Sequence, residues 1–244
     1  MTDTASDEPL RAIVFAGPNG SGKSTITTAM IATPALFNCE CIHADYIARS
    51  LEKDIPDYTQ RNIEAANIAG ERRLAAFKEH RAVVFETVMS TPEKFALTTH
   101  AKAQGYKVTL VFVTTDDPEK NVQRVINRVS QGGHRVEPDA IRDRYAKTMG
   151  LLSAALDHAD YARIDDNSSI IPMVVAVKQG AQLDLHNPAQ HPAWVQESMV
   201  EPYLDALRRV RKSTRHLKPS PRDEPSCSMR MRATVKLTTR LFLR

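Results

Sequence analysis

Apolar residues along this chain fall into short unbroken runs separated by longer amphipathic stretches. Ala12-Ile13-Val14-Phe15-Ala16, Ala82-Val83-Val84-Phe85 and Val108-Thr109-Leu110-Val111-Phe112-Val113 are rich in β-branched and aromatic residues and read as buried strands. With two weaker signals, strands are expected near 11–16, 40–44, 81–86, 107–115 and 161–165. Helices are expected between them. One opens at Lys23, a short one covers Tyr46 to Leu51, and one over about 58–79 carries Ile63, Ala66, Gly70, Leu74 and Phe77 at helical spacing. A further helix covers about 92–103. Pro118 opens another with Val122, Val125, Ile126 and Val129 on one stripe, and Pro138 one with Ile141, Tyr145, Met149, Leu152 and Leu156. Asp116-Asp117-Pro118 and Glu137-Pro138-Asp139 have the form of helix starts, with proline in the first turn and Asp116 as the expected cap. Residues 172–186 are expected to add one or two strands, and 192–211 another helix. Strand–helix alternation with parallel connections predicts an α/β fold: a doubly wound, mostly parallel five-stranded sheet with ligands at the carboxyl ends of its strands.

Composition changes this picture at the ends. A hydrophobic share of 42% and a charged share of 25% are ordinary for a globular domain. Met1 to Pro9 is polar and acidic, unlike a signal peptide, and no apolar run approaches membrane-spanning length. The expected compartment is therefore the cytoplasm. Cys39, Cys41 and Cys227 make no disulfide framework, and Cys39-x-Cys41 reads as two buried thiols in a strand. Net charge is +4, but from Arg208 onward Lys and Arg outnumber Asp and Glu 12 to 2. The expected division is a flexible leader over 1–10, a domain over 11–212 and a flexible basic tail over 213–244, with no element between Met229 and Arg244. Such a tail suits nucleic acid or an acidic partner.

The chemistry is concentrated just after the first strand, in Gly17-Pro18-Asn19-Gly20-Ser21-Gly22-Lys23-Ser24-Thr25. This is the G-x-x-x-x-G-K-[ST] phosphate loop, whose glycines let successive N–H groups turn inward onto phosphate oxygens at a helix N-terminus. Lys23 can reach the β- and γ-phosphates, and Ser24 can place its hydroxyl on Mg²⁺. The fold class sharpens to a P-loop NTPase. The N-K-x-D motif by which GTPases read their base is missing, as is the signature loop of transport ATPases. Cys41-Ile42-His43-Ala44-Asp45 instead ends a strand in a carboxylate, placing Asp45 near the phosphates as general base, substrate orienter or helix cap. His43 reads as a hydrogen-bonded structural histidine. Phe85-Glu86-Thr87 ends the third strand, so Glu86 is expected to hold Mg²⁺ or the acceptor, with Thr87 beside it and Asp116 as the rival acid. Arg124 and Arg128 share a helical face, Gln131-Gly132-Gly133-His134-Arg135-Val136 breaks the helix, and Arg142 and Arg144 follow. Arginines on both sides of a glycine hinge suit a nucleotide-kinase-like helical lid, led by Arg128 and Arg135, that closes on a triphosphate.

Together, Gly17 to Thr25, His43-Ala44-Asp45, Phe85-Glu86-Thr87, Arg124-x-x-x-Arg128, Gly132 to Val136, Ile141-Arg142-x-Arg144-Tyr145 and Asp166-Asn167-Ser168 resemble the zeta-toxin family of P-loop kinases. The likeness is closer to its "predicted ABC-type ATPase"-like bacterial branch and covers about residues 11–170. It implies a kinase using ATP and Mg²⁺, with Lys23 and two lid arginines on the ATP phosphates. Carried over by position, Asp45 is the base, Glu86 a substrate contact, and Arg128 and Arg135 the phosphate clamps. The implied acceptor is the sugar 3′-hydroxyl of a UDP-N-acetylglucosamine-like nucleotide, and the implied partner an antitoxin protein. His43 stands where the family has Asn. The alternatives are a metabolite or antibiotic kinase without a toxin role, and a non-catalytic NTP-binding regulator.

Overall fold

The computed structural model describes residues 10–36, 38–133, 135–215 and 234–238. Alternating elements run β1 (Arg11–Ala16), α1 (Lys23–Ile31), β2 (Glu40–Ile42), α2 (Ala44–Ser50), α3 (Tyr58–Lys78), β3 (Val83–Thr87), α4 (Pro92–Ala103), β4 (Lys107–Thr114), α5 (Pro118–Ser130), α6 (Pro138–His158) and β5 (Tyr161–Asp166). They continue through β6 (Met173–Gln179), β7 (Gln182–His186), a π-helical turn (Val195–Val200), α7 (Glu201–Arg215) and β8 (Thr234–Thr238). The expected strands and helices are all found, with ends shifted by a few residues.

The sheet has eight strands in the order β2-β3-β1-β4-β5-β6-β7-β8, rather than the five expected. The first five in this order are mutually parallel; β6 and β7 are antiparallel additions, and β8 lies parallel to β7. β6 and β7 follow the parallel run as a tight hairpin, which costs little chain, whereas β8 comes after α7. The expectation of an element-free stretch from Met229 is thus corrected at Thr234–Thr238. The expected 212/213 boundary falls inside α7. The rest of the tail, like residues 1–9 of the leader, lies outside the described residues.

Order reverses at β1, whose neighbours β3 and β4 both come later in sequence, and ligands of open α/β sheets bind in the crevice at such a point. Register fixes what that crevice contains. Phe15 pairs with Glu86 and Ala16 with Thr87, so the acid ending β3 emerges beside the start of the phosphate loop. β1 is buried on both faces, as a central parallel strand must be. Ala12 and Val14 face a core shared with α3, α4, α6 and α7, while Ile13 and Phe15 face a second core under α1.

Two stripes are corrected. On α3 the buried residues are Ala65, Ala69, Ala76 and Phe77, whereas Ile63 and Leu74 are 59% and 52% exposed and Ala66 also faces solvent. Small alanines suit the close packing of α3 against α2, and Phe77 is set edge-on between Phe85 and Tyr106. On α5, Val122 and Val125 are buried but Ile126 is exposed. The α6 stripe is as expected: Ile141, Met149, Leu152 and Leu156 are buried and Tyr145 half-buried. Cys41 is exposed on the edge strand and Cys39 half-buried before it, so neither is the buried strand thiol expected. No helix of the described residues is long and apolar enough to cross a membrane.

The α3 assignment predicts that Phe77→Ala costs about 3–5 kcal/mol of stability, while Ile63→Ala changes it by less than about 0.5 kcal/mol. Urea unfolding measures both, and equal losses would contradict this packing.

Candidate active site

Residues 17–22 carry the chain from β1 into α1, whose first turn has no acidic residue to neutralise its N–H groups. Gly22 sits at φ 93° as the helix N-cap, and a Cβ there would collide with the Asn167 amide; at Gly20, φ 75°, a Cβ would collide with the Asn121 carbonyl. Only glycine permits both the left-handed turns and these close approaches. The two asparagines hold the loop from outside. Asn121, fully buried on α5, donates to the Asn19 carbonyl at 2.7 Å, and its own amide oxygen accepts the Thr115 hydroxyl. Asn167, just past β5, donates to the Ser21 carbonyl at 2.8 Å. The loop is therefore braced by α5 and the β5 end before any ligand arrives.

Inside the loop, the buried Lys23 ammonium donates to the Gly17 and Pro18 carbonyls at 2.8 and 2.7 Å. Burial depresses its pKa to about 8, against the raising effect of nearby Glu86. Ser24 donates to Glu86 Oε2 at 2.9 Å, and His43 Nε2 lies 2.9 Å from Glu86 Oε1. His43 Nδ1 accepts the Asp45 N–H, so the ring proton sits on Nε2, facing the carboxylate. Burial opposes charge on both partners. The mutual attraction outweighs it, holding Glu86 below the ordinary carboxylate range and His43 above the ordinary imidazole range. The N-cap of α2 is His43, not Asp45. Relieved of capping, the Asp45 carboxylate stands exposed in the first turn.

Two clefts meet here. One, of about 510 Å³, is lined by the phosphate loop, Glu86, Thr87, Arg124, Arg128 and Asp45. The second, of about 490 Å³, is walled by Arg49, Tyr58, Arg61 and the Gly132-Gly133 hinge. Asp45 and Arg128 border both. Thr87 accepts the Met89 N–H, which fixes the turn after β3. Arg124 donates to the Asn167 carbonyl at 2.7 Å, leaving Nη1 buried without a partner among the described residues.

Other expected groups stand apart. Arg135 is exposed and paired with Glu137 at 2.9 Å, outside both clefts. Arg142 bonds Glu119 and Asp139 and so ties α6 to α5 rather than facing a ligand. Asp116 is not the cap of α5; Asp117 accepts the Glu119 N–H in that role, and Asp116 pairs with Lys120 in a separate cleft. Geometry thus brings Glu86, not Asp116, to Ser24. The sequence reading missed Asn121 as a loop brace. A buried amide in the first turn of an amphipathic helix is its only local sign.

The AAA domain pattern (AAA_33) matches residues 13–150, more than half of the chain. The chain belongs to this family. It is 29% identical over 139 residues to an uncharacterized protein of Haemophilus influenzae, an alignment covering 55% of this chain and 92% of the relative. Its fold is similar to that of AvrRxo1-ORF1:AvrRxo1-ORF2 solved with sulphate ions, with TM-score 0.62, 15% identity, and coverage of 84% of this chain and 72% of the other. The AvrRxo1-ORF1:-ORF2 structure with ATP aligns with TM-score 0.63 and 16% identity, over 81% of this chain and 65% of the other. A structure from the PezAT chromosomal toxin–antitoxin system of Streptococcus pneumoniae aligns with TM-score 0.52 and 17% identity, over 87% and 88%. The fold is that of an α/β P-loop NTPase.

The depressed Lys23 pKa sets a sign for ligand binding. As pH rises past about 8 the empty protein shifts toward neutral Lys23, and an anionic triphosphate favours the charged form. ATP binding in that range should take up protons. Titration calorimetry in two buffers of different ionisation enthalpy measures it, and Lys23→Ala should abolish the uptake.

Proposed function

We propose that the chain is an ATP- and Mg²⁺-dependent small-molecule kinase. The observation that carries this reading is the position of Asp45 and Arg128 on the border between the two clefts, one built around the phosphate loop and the other polar and arginine-rich. ATP occupies the first cleft with its phosphates on the loop N–H groups and Lys23. Arg124 and Arg128 flank it. The Ser24 hydroxyl and the Glu86 carboxylate are hard oxygen donors 2.9 Å apart and suit Mg²⁺, which takes few protein ligands beside substrate phosphates. Bound there, the ion neutralises charge on the phosphate oxygens.

The acceptor lies in the second cleft with its hydroxyl toward Asp45. As that oxygen bonds to the γ-phosphorus, its proton passes to the Asp45 carboxylate, and the bond from γ-phosphorus to the β–γ bridging oxygen breaks to release ADP. Arg128 stabilises negative charge on the group in transit, and closure of the Gly132-Gly133 hinge brings Arg135 over it and excludes water. His43 keeps Glu86 ionised and oriented toward Ser24.

The finer reading is a zeta-type toxin whose acceptor is the sugar hydroxyl of a UDP-N-acetylglucosamine-like nucleotide, held in check by an antitoxin protein. It is supported by the motif resemblance and by the structural likeness to the PezAT system and to an AvrRxo1-ORF1:-ORF2 complex with ATP. Arg49, Tyr58 and Arg61 in the second cleft suit a hydroxylated anionic acceptor. Cytoplasmic action belongs to the same reading.

A panel of UDP-sugars and nucleotides with γ-labelled ATP should give one labelled product. Asp45→Asn should lower that turnover about 10²- to 10⁴-fold with ATP binding retained, and Lys23→Ala should remove it while circular dichroism stays unchanged. Full turnover by Asp45→Asn would exclude it as base. Expression should arrest growth, and Lys23→Ala should cure the arrest; an equally toxic variant would contradict the toxin role.

A further inference from the structure

A third cleft, of about 530 Å³, opens between α6 and the π-helical turn and shares no lining residue with the two clefts at the phosphate loop. Its volume falls within the roughly 300–1,000 Å³ of small-molecule sites. Tyr145 and Met149 line it from α6, and Asp116 from the segment after β4. Glu197 and Ser198 line it from the π-helical turn, and Trp194 from the residue before that turn. The walls are held from behind. The Tyr145 hydroxyl donates to the Thr115 carbonyl at 2.6 Å, and the buried Trp194 indole donates to Asp166 at 2.8 Å. π-helical turns are rare and recur at functional sites.

The charge in this cleft is negative. Glu197 has no cation within ion-pair distance among the described residues, and the Ser198 hydroxyl makes no hydrogen bond among them. No Lys, Arg or His lines the cleft, and Lys120 beside it is held by Asp116 at 2.8 Å. Burial pushes the Tyr145 phenol up to about 12, and the Asp116, Asp166 and Asp117 charges push it the same way. Walls of this kind repel an anion. A neutral apolar occupant would take water from Glu197 and return nothing. A cation on an apolar body meets both demands. Its charged end reaches the Glu197 carboxylate and the Ser198 oxygen, while its body lies against the rings of Trp194 and Tyr145 and the Met149 thioether.

We propose that this cleft is a second ligand site, which takes a small organic cation: an ammonium group carried on an aryl or alkyl body. The site stands independently of the kinase reading, because none of its residues belongs to the phosphate loop, the proposed base or the lid.

Trp194 is the only tryptophan of the chain, so its fluorescence reads this cleft directly. The full chain is titrated with phenethylamine, a cation at neutral pH, and with its neutral and anionic counterparts, phenethyl alcohol and phenylacetate. The amine should change the emission saturably and bind at least about tenfold more tightly than the alcohol, and phenylacetate should give no saturable change. Glu197→Gln should weaken the amine about threefold to tenfold, and Glu197→Lys should abolish its binding. Both variants should bind ATP as the wild type does, which separates a lost site from a lost fold. Saturating ATP with Mg²⁺ should not displace the amine. Equal binding of amine and alcohol, unchanged amine affinity in both variants, displacement by ATP, or no saturable change in the wild type each overturns the cation site. None of these results touches the kinase reading.

Discussion

The Lys23 ammonium, buried and bonded to two carbonyls of its own loop, has given up water without gaining a full counter-charge. Such a group is held only where the backbone around it is fixed, because a mobile loop would let the lysine swing out to solvent. Asn121 and Asn167 supply that fixity from two separate elements, and the glycines at 20 and 22 leave room for them. The active end of the molecule follows from this arrangement. A lysine kept short of anions, in a loop that cannot relax around it, is preorganised for the charge it lacks.

The second constraint is sheet register. Parallel pairing of β1 with β3 sets Glu86 opposite Phe15, and the next turn of chain carries Ser24 to within 2.9 Å of it. Buried carboxylates are costly alone, and Glu86 is stabilised by His43, whose other nitrogen starts α2. This division of labour explains the freedom of Asp45. Where an imidazole caps the helix, the neighbouring carboxylate is released to face both clefts. One residue type at a helix start thus links the acid beside Ser24 to the proposed base.

Much of the fold was legible because its signals are local. Runs such as Val108 to Val113 can only be buried strands, and Pro118 and Pro138 mark helix starts through their fixed φ and missing N–H. The phosphate loop was legible for the same reason: its function is written in consecutive residues. The stripe on α3 was misread because Ile63 and Leu74 outweigh alanines in any hydrophobic count, yet close packing of α3 on α2 favours the small side chains of Ala65 and Ala69. Asp116 and Asp117 were not separable as caps in sequence, since both precede a proline at the right distance.

By itself the sequence determined the order of elements through α7, the parallel α/β architecture and the chemical identity of the phosphate loop, because each depends on spacing within a few residues. Only the tertiary structure decided which acid meets Ser24, which arginine ties helices together and which faces a cleft, and what holds the loop closed. Those outcomes depend on groups tens of residues apart, such as Asn121 and Asn19 or Arg144 and Asn19, brought into contact by strand register and helix packing. No local pattern encodes them, since hydrogen bonds and charges act through space and not along the chain.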